Sequence, residues 1–363
     1  MSYLCAISEL SVIIGELSVF LDNSFNYKFT MGELEIGKQM PKRAELHNHL
    51  GGAVDPPIMW SIAHNQGIKL PSKDYWDFED LITIGRHEQY NSVKEIDQKF
   101  YYWTELIQSS PYAIETSVKS VIGGGYRKCN IVVHELRFCP MKRNRGGEQD
   151  LDHIITAAIR GMDRAILEYP QVKAGLILMM DRSLTYQQNK IIIEKAVKYK
   201  HKGIVGIDLA GPQKKNFKMK AHLDLFKKAK KAGLGVTIHT GEEGRLTEMK
   251  FVVDYIKPQR IGHGILAWQD KELMKKLVKQ KITLEICPTS NLKSGVADSL
   301  NHLKKMIQTL YQYKVSLTIN TDGPEMYKTN VYKEQQLLIN QKILTKAEVS
   351  QCFKNGFRAS FVK

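Results

Sequence analysis

Histidines with the spacing of metal ligands occur at two distant places in the chain. His47 and His49 are two residues apart in the run ELHNHL, and His239 ends the apolar, β-branched run VTIH. In a strand, residues two apart face the same side, so the paired imidazoles could hold one ion. Two imidazoles turned into an apolar interior would be costly to desolvate without a partner. The pattern therefore favours metal ligands over packed core histidines.

Three further side chains extend this candidate site. Asp322, in the run INTDGP, could supply an oxygen. Three imidazoles and one carboxylate, with a position left for water, describe a catalytic site for zinc or a similar divalent ion. Glu242 follows His239 by one short turn and could reach the same pocket as a proton donor. His263 has a glycine on each side, which predicts close backbone approach and an imidazole placed in the pocket.

A fold that joins distant strand ends is required to bring these residues together. From Pro41 onward, short β-branched runs alternate with stretches of helical periodicity, which is typical of repeated β-α units around a parallel sheet. Eight such runs close a (β/α)8 TIM barrel of the α/β class, whose active sites lie at the carboxyl ends of the strands. The predicted strands are residues 44–50, 130–138, 173–180, 203–209, 235–240, 260–263, 282–286 and 315–320.

One long insertion, from Ala53 to about Gly123, follows the first predicted strand and is rich in aromatic residues. A helical insert over the barrel mouth would be a natural lid for a planar ligand. For any single aromatic residue, packing of the insert onto the barrel is the favoured interpretation. The run Gly123–Gly125 predicts the end of a helix. The aromatic residues are Trp60, Tyr75, Trp76, Phe78, Tyr90, Phe100, Tyr101, Tyr102 and Trp103.

Residues 1–40 are predicted to be an N-terminal extension, and residues 41–363 a single barrel domain. The apolar stretch before residue 22 is interrupted by two glutamates and lacks a basic leader, so it resembles neither a membrane span nor a secretory signal. An amphipathic helix packed on the body is the expected structure. Met1, Met31 and Met40 are all candidate starts of translation on the sequence alone.

The composition indicates an enzyme of a reducing compartment, and we expect the cytoplasm. The five cysteines are odd in number and lack any Cys-x-x-Cys pair, which argues against a disulfide framework or a zinc ribbon. The formal net charge of +15 would suit a polyanion. However, much of the excess is lysine at helical spacing, which is typical of solvated helix faces, and no nucleic-acid-binding motif accompanies it.

Seven short motifs follow one another along the chain, each near a predicted strand end. They are ELHNHL at 45–50, ELRF at 135–138, GIDLAG at 206–211, HTGE at 239–242, RIGHG at 260–264, EICPTSN at 285–291 and NTDGP at 320–324. In this order, the set resembles the adenosine deaminase family of the amidohydrolase superfamily. The resemblance implies one zinc ion on His47, His49, His239 and Asp322. It also implies that Glu242 protonates a ring nitrogen and that Gly211 contacts the purine through its backbone.

The same resemblance implies the remaining roles. His263 would orient a zinc-activated hydroxide that attacks the amine-bearing carbon, and Asp322 would accept a proton while remaining a ligand. Adenosine or a related aminopurine nucleoside would lose ammonia and give the inosine-type product. The expected partner is thus a small molecule, with neither a nucleic acid nor a membrane.

The chain departs from the family pattern at two substrate contacts. Gly51 stands where the family usually has an acidic residue that holds the ribose 5′-hydroxyl, and Gly323 where it has an aspartate that reads purine N7. An opened 5′ end could admit a phosphate, a thioether or another group, with Arg137, Arg182 or nearby lysines as partners. Structural pairing with Glu135 or Asp181 is the favoured interpretation of the two arginines. Glu325 is a candidate for the missing N7 contact, and an ordinary role as a surface turn residue is an equally good interpretation.

Two alternatives remain open on the sequence alone. The first is an amidohydrolase that acts on another amino-heterocycle or an amide, which the two atypical glycines make credible. The second is a catalytically silent, polyanion-binding barrel. The six candidate metal and catalytic residues argue against the second, since a silent barrel has no need to keep them all.

Overall fold

The computed structural model describes residues 40–145, 148–212, 214, 216–244 and 246–363. The predicted N-terminal helix therefore lies outside the described residues. Residues 40–363 form one compact unit. Its strands are β1 (Arg43–His49), β2 (Ile131–Phe138), β3 (Lys173–Asp181), β4 (Ile204–Ala210), β5 (Gly235–Val236), β6 (His239–Thr240), β7 (Arg260–His263), β8 (Thr283–Ile286) and β9 (Ser316–Ile319).

Helices separate most of these strands and cover their outer side. They are α1 (Leu50–Ala53), α2 (Pro56–Asn65), α3 (Tyr75–Ile82), α4 (Val93–Ile96), α5 (Tyr102–Ile107), α6 (Pro111–Cys129), α7 (Leu151–Glu168), α8 (Tyr186–Tyr199), α9 (Leu223–Lys231), α10 (Leu246–Phe251), α11 (Lys271–Lys279), α12 (Pro288–Lys293), α13 (Leu300–Gln312), α14 (Val331–Asn340) and α15 (Lys346–Ala359). A π-helical turn, Asp97–Tyr101, joins α4 to α5, and another, Val252–Ile256, continues α10.

The strands are parallel and pair in sequence order, β1 to β5 and β6 to β9. The short strands β5 and β6 are the two halves of the predicted fifth strand. Between them the Thr237 amide donates to the Ile207 carbonyl of β4, and the Gly262 amide of β7 donates to the Ile238 carbonyl. The fifth strand is thus hydrogen-bonded to both neighbours along its length, although its regular ladder is interrupted.

The ring closes where the end of the last strand meets the first. The Asp322 amide donates to the His47 carbonyl at 2.9 Å, and the His49 amide donates to the Asp322 carbonyl at 2.6 Å. Residues 48 and 322 accordingly form a parallel bridge. These bonds complete the eight-position ring, and the predicted (β/α)8 barrel is confirmed.

The core lies between the strands and the surrounding helices. Strand β3 is buried from Gly175 to Asp181, as expected for a parallel strand covered on both faces. Helix α7 buries one apolar face, which includes Ile154, Ile155 and Ala158. Burial of an isoleucine side chain contributes about 1.5–3 kcal/mol to folding. This packing fixes the strand ends from which the site is built.

The prediction that Gly123–Gly125 ends a helix is wrong. Helix α6 continues to Cys129 and ends at Asn130, which has the left-handed φ of 50°. Two of the glycines serve close packing: a Cβ on Gly123 would lie 2.9 Å from the Tyr169 ring, and one on Gly125 would lie 3.1 Å from Cε1 of His134. A glycine inside a helix lowers stability by about 0.5–1 kcal/mol relative to alanine. At these two positions the close packing that glycine allows outweighs this cost.

Surface features follow the composition. Lys227, Lys228 and Lys231 on α9 are exposed, as predicted for a solvated helix face. All four cysteines in the described part of the chain are buried and unpaired. No helix of that part has the length and apolar character needed to span a bilayer.

Candidate active site

Three imidazoles converge at the mouth of the barrel. His47 and His49 end β1, and His239 begins β6. The Nε2 atom of His49 lies 3.3 Å from Nε2 of His47 and 3.0 Å from Nε2 of His239. Oδ1 of Asp322 is 3.4 Å from Nε2 of His49 and 3.8 Å from that of His47. The structure therefore brings together all four residues predicted as ligands.

The spacing of these atoms fits one small cation. Ligand atoms held 2.0–2.1 Å from a tetrahedral zinc ion are separated from one another by roughly 3.3 Å. Burial lowers the pKa of both His47 and His49 well below the ordinary value, and the neighbouring imidazoles add to this effect. Both rings are therefore neutral at neutral pH, which is the form that binds a metal.

Two buried carboxylates orient the imidazoles. Nδ1 of His47 is 2.7 Å from Oε2 of Glu285, and Nδ1 of His239 is 2.9 Å from Oδ2 of Asp208. Such carboxylate partners of histidine fix the ring so that Nε2 faces the metal. Sequence reasoning noted the motifs that contain Glu285 and Asp208 without giving either residue this role. Their position near the ends of inward-facing strands was the available signal.

A buried ionic network supports these carboxylates from inside the barrel. The guanidinium of Arg137 lies 2.8 Å from both Asp208 and Glu285, and Arg260 bridges Glu285 and Glu135. All five side chains are fully buried. Arg137 is thus paired, as favoured from the sequence, but with acids other than Glu135.

Glu242 and His263 form the second half of the site. Oε1 of Glu242 is 3.4 Å from Nε2 of His263. Burial raises the pKa of Glu242 well above its ordinary value, and the charges of Asp322 and Glu243 raise it further. This shift favours the protonated carboxyl group, which is the state that a general acid requires.

The protonation of His263 follows from its surroundings. Burial lowers its pKa well below the ordinary value. The side-chain amide of Asn291 lies 3.1 Å from Nδ1 of His263. When Asn291 donates to Nδ1, the single ring proton is on Nε2, which faces Glu242 and lies 3.9 Å from Oδ2 of Asp322.

Unusual backbone geometry places two of these side chains. His263 and Asp322 have left-handed φ values of 55° and 66°. Non-glycine residues in this region are uncommon and concentrate at functional sites, where the surrounding structure holds them. Ser290 restrains Asp322 further, because its hydroxyl donates to Oδ2 at 2.6 Å.

A cavity opens beside these residues. Its wall includes Glu242, His263 and Asp322, together with Gly51 and Gly211 from the predicted substrate contacts. Of the nine aromatic residues noted in the insertion, only Tyr101 lines this cavity. Others, such as Trp60 and Phe78, pack against each other within the insert.

The adenosine deaminase family model matches residues 41–363. The chain belongs to the adenosine deaminase family. An adenosine deaminase from Clostridium kluyveri is 30% identical over 328 residues, which are 90% of this chain and 91% of that relative.

Solved structures with similar folds include two with a TM-score of 0.76. One is an N6-methyl-AMP deaminase from Arabidopsis, 24% identical, with 91% of this chain and 96% of that one covered. The other is an amidohydrolase from Burkholderia ambifaria with bound Zn, 17% identical, with 94% of this chain and 91% of that one covered. At these identities the likeness concerns the fold.

The two positions at which the chain departs from the family pattern differ in their surroundings. Gly51 lines the cavity, whereas Gly323 packs against the backbone of Gly52, where an added Cβ would lie 3.1 Å from the Gly52 Cα. Glu325, the candidate for the N7 contact, instead pairs with Lys128 at 2.8 Å and lines a separate cleft.

Arg182, the other candidate for the 5′ end, is also committed to structural bonds. It donates to the carbonyls of Gly211 and His239 and pairs with Glu248 at 2.7 Å. The favoured interpretation of this arginine as a structural residue is therefore confirmed, but its acidic partner differs, since Asp181 pairs with Lys142. Lys142 and Tyr101 also line the cavity. Lys142 was not named in the sequence prediction, and Tyr101 was noted only as one of the nine aromatic residues of the insertion.

Proposed function

We propose that this chain deaminates an aminopurine nucleoside, adenosine or a relative, giving the inosine-type product and ammonia. The observation that carries the proposal is the 3.4 Å contact between Glu242 and His263, beside the cluster of three imidazoles and Asp322. Membership of the adenosine deaminase family supports the same reaction. A proton donor for a ring nitrogen and a metal-ligand set are the two components that hydrolytic deamination needs.

The proposed metal site consists of His47, His49, His239 and Asp322. The nitrogen-rich donor set and the ligand spacing fit zinc, and the Burkholderia structure with bound Zn supports that choice. Such an ion, when bound, lowers the pKa of a coordinated water towards about 7. Asp208 is the only ionisable residue of β4. The strand therefore has no lysine that could be carbamylated to bridge a second metal ion. This supports a site for one ion rather than two.

The protein groups divide the proton chemistry among them. Glu242 donates its proton to a ring nitrogen, which reduces the aromatic character of the ring and makes the amine-bearing carbon electrophilic. His263, with its proton on Nε2, donates a hydrogen bond to the attacking oxygen and stabilises the charge that develops there. Asp322 accepts the proton that this oxygen loses. The backbone of Gly211 contacts the far edge of the purine.

Ammonia release from purified protein tests the proposal directly. We expect turnover of adenosine or of a 5′-modified adenosine, loss of turnover with a chelator and recovery with added zinc. The panel contains adenosine, deoxyadenosine, AMP, methylthioadenosine and adenine, together with several non-purine amines. Turnover of a non-purine amine alone would move the chain to the amidohydrolase alternative, and metal-loaded protein inactive on every compound would refute the proposal.

A further inference from the structure

Residues 360–362, which we name the plug, enter the barrel at the end opposite the imidazoles. Three neighbouring strands carry a glycine near their amino ends, and these are Gly175 of β3, Gly206 of β4 and Gly235 of β5. A Cβ on Gly175 would lie 2.8 Å from Cγ2 of Val362, and one on Gly206 would lie 2.8 Å from Cδ2 of Phe361. One on Gly235 would overlap the Phe361 ring itself. The strands thus leave open the space that the plug fills.

The plug donates three hydrogen bonds to one buried carboxylate oxygen. Oε1 of Glu135 accepts from the Ser360 hydroxyl at 2.7 Å, from the Phe361 amide at 2.5 Å and from the Val362 amide at 3.3 Å. Glu135 lies on β2 and is fully buried. A buried carboxylate is costly unless it is paired and hydrogen-bonded. The plug therefore satisfies Oε1 of Glu135 and leaves Oε2 for another partner.

That partner, Arg260, also contacts the plug directly. The Phe361 ring covers the guanidinium, with the ring centroid 3.6 Å from Cζ of Arg260. NH1 of Arg260 donates to the carbonyl of Ala359, the residue before the plug, at 2.8 Å, and NH2 lies 2.5 Å from Oε2 of Glu135. A guanidinium is attracted to an aromatic face, and more so where water is excluded. The side chain of Arg260 is thus held both at its face and at its edge.

Arg260 leads from the plug to a candidate metal ligand. Its Nε atom lies 2.6 Å from Oε1 of Glu285, the residue whose Oε2 is 2.7 Å from Nδ1 of His47. Arg137 holds Glu285 from the other side at 2.8 Å. The guanidinium is a planar fork of fixed shape, so a shift of Arg260 moves the carboxylate that it binds. Two side chains therefore connect the plug to the orientation of His47.

The plug also separates this network from solvent. A groove on the outer side of the same barrel end is lined by Ser360 and Phe361. Phe361 is partly exposed there, whereas Glu135 and Arg260 beneath it have no exposed surface. Without the ring, water would reach these ion pairs, and the higher dielectric constant would weaken them. The position of Glu285 would then depend on Arg137 alone.

We propose that the plug is a positioning element of the metal site: it holds Glu135 and Arg260, and through Glu285 it fixes the direction of the His47 ring. The plug touches neither a proposed ligand nor the substrate cavity. A plug that only filled space would contribute to the stability of the fold and would leave metal binding unchanged. This inference rests on the proposed function, because it concerns the metal site of that function.

Replacement of Phe361 by alanine in the full-length chain tests the inference. We expect the zinc affinity of F361A to fall about tenfold, the lower end of the range for loss of a carboxylate partner of a ligand histidine. Competition with a chromophoric chelator measures the affinity, at a temperature at which circular dichroism shows the variant to be folded. The absorption spectrum of the cobalt-loaded protein should also change, since it reports the ligand geometry.

The control is F357A, because Phe357 is an aromatic residue of α15 that is 38% exposed. This variant should keep the wild-type affinity and the wild-type cobalt spectrum. Folded F361A with unchanged affinity and spectrum overturns the inference, even if its free energy of unfolding is lower than that of the wild type.

Displacement of the plug from the opposite side gives an independent test. In G235A the added methyl group overlaps the Phe361 ring, so the plug must move although no residue of the network is altered. We expect a loss of zinc affinity similar to that of F361A. In the double variant G235A/F361A the methyl group has room, and the affinity should fall no further than in F361A. Losses that multiply in the double variant would overturn the inference.

Zinc binding and turnover are measured separately, so the two proposals can fail separately. Wild-type protein that binds zinc more tightly than F361A but releases no ammonia from any amine refutes the proposed function and still supports the role of the plug. Wild-type protein that binds no zinc refutes the proposed metal site, and the inference falls with it.

Discussion

The carboxylate of Asp208 joins His239 to Arg137: it lies 2.9 Å from Nδ1 of the histidine and 2.8 Å from the guanidinium. Although burial opposes it, the nearby His239 and Arg137 hold the pKa of Asp208 well below its ordinary value. The charged carboxylate accepts the Nδ1 proton and leaves the lone pair of Nε2 towards the other imidazoles. The orientation of this candidate ligand therefore depends on a residue that would not touch the ion.

Replacement of Asp208 by asparagine should weaken metal binding. The amide is a poorer acceptor for the His239 proton, and loss of such a partner typically lowers metal affinity 10–100-fold. Competition for zinc against a chromophoric chelator measures the change. D298N, at a side chain that is 77% exposed, is the control and should keep the wild-type affinity. Equal affinity in folded D208N would show that this contact does not tune the site.

Replacement of Glu242 by glutamine should remove the proton donor and leave the ligand cluster in place. We expect kcat to fall by about 10²–10⁴, the usual contribution of general acid–base catalysis. Metal content, measured on the same preparation, should stay at the wild-type level. The control E272Q alters a side chain that is 75% exposed on α11. A variant with nearly full kcat would exclude Glu242 as the acid.

Replacement of His134 by glutamine should reduce the pH dependence of stability. Burial lowers the pKa of His134 to about 4, whereas the unfolded residue titrates near 6.5. Between pH 6.5 and pH 4, His134 is protonated in the unfolded chain and neutral in the folded chain. The free energy of unfolding therefore decreases as the pH falls from 6.5 towards 4. At pH 5 the loss amounts to about 2 kcal/mol.

Urea unfolding at pH 7 and pH 5 measures this effect. The decrease in the free energy of unfolding between the two pH values should be smaller in H134Q than in the wild type by about 2 kcal/mol. H64Q, at an exposed histidine of α2, is the control and should behave as the wild type. An identical decrease in H134Q would mean that His134 is protonated in the folded state as well.

Replacement of Glu243 by glutamine should loosen the insertion over the cavity. A carboxylate oxygen of Glu243 accepts a hydrogen bond from the Val93 amide at the start of α4, the segment that leads to Tyr101. Loss of the negative charge at a helix start costs about 0.3–1 kcal/mol. We expect KM to rise a few-fold with a smaller change in kcat, and E168Q on α7 to change neither. A variant in which kcat alone falls would instead place Glu243 in the chemistry.

The strand ends and the cluster of candidate metal ligands could be predicted because both follow from local periodicity. Alternation places His47 and His49 on one side of β1, and parallel strands present their carboxyl ends at one mouth. Periodicity predicts on which side of a strand a side chain lies. It does not predict which other side chain it pairs with. Glu135 and Arg137 both turn inward from β2, yet Arg137 pairs with Asp208 and Glu285 while Glu135 pairs with Arg260.

The contact between Tyr101 and Gly51 could not be predicted for a related reason. The two residues are separated by most of the insertion, and a π-helical turn sets the direction of the tyrosine side chain. Likewise, a run of glycines such as Gly123–Gly125 is found both at the end of a helix and inside a helix that packs closely against a neighbour, here Tyr169. The local sequence is the same in both cases. In both cases the outcome depends on distant neighbours.

Closure of the barrel by the backbone of Asp322 has a consequence for biosynthesis. The seam between the first and last strands is made by His47, His49 and Asp322, which are also three of the four proposed ligands. During synthesis, the barrel can close and the set of proposed ligands can be complete only after the segment with Asp322 has left the ribosome. Products truncated before residue 322 should be unable to capture the ion and should expose the unpaired edge of β1 to aggregation.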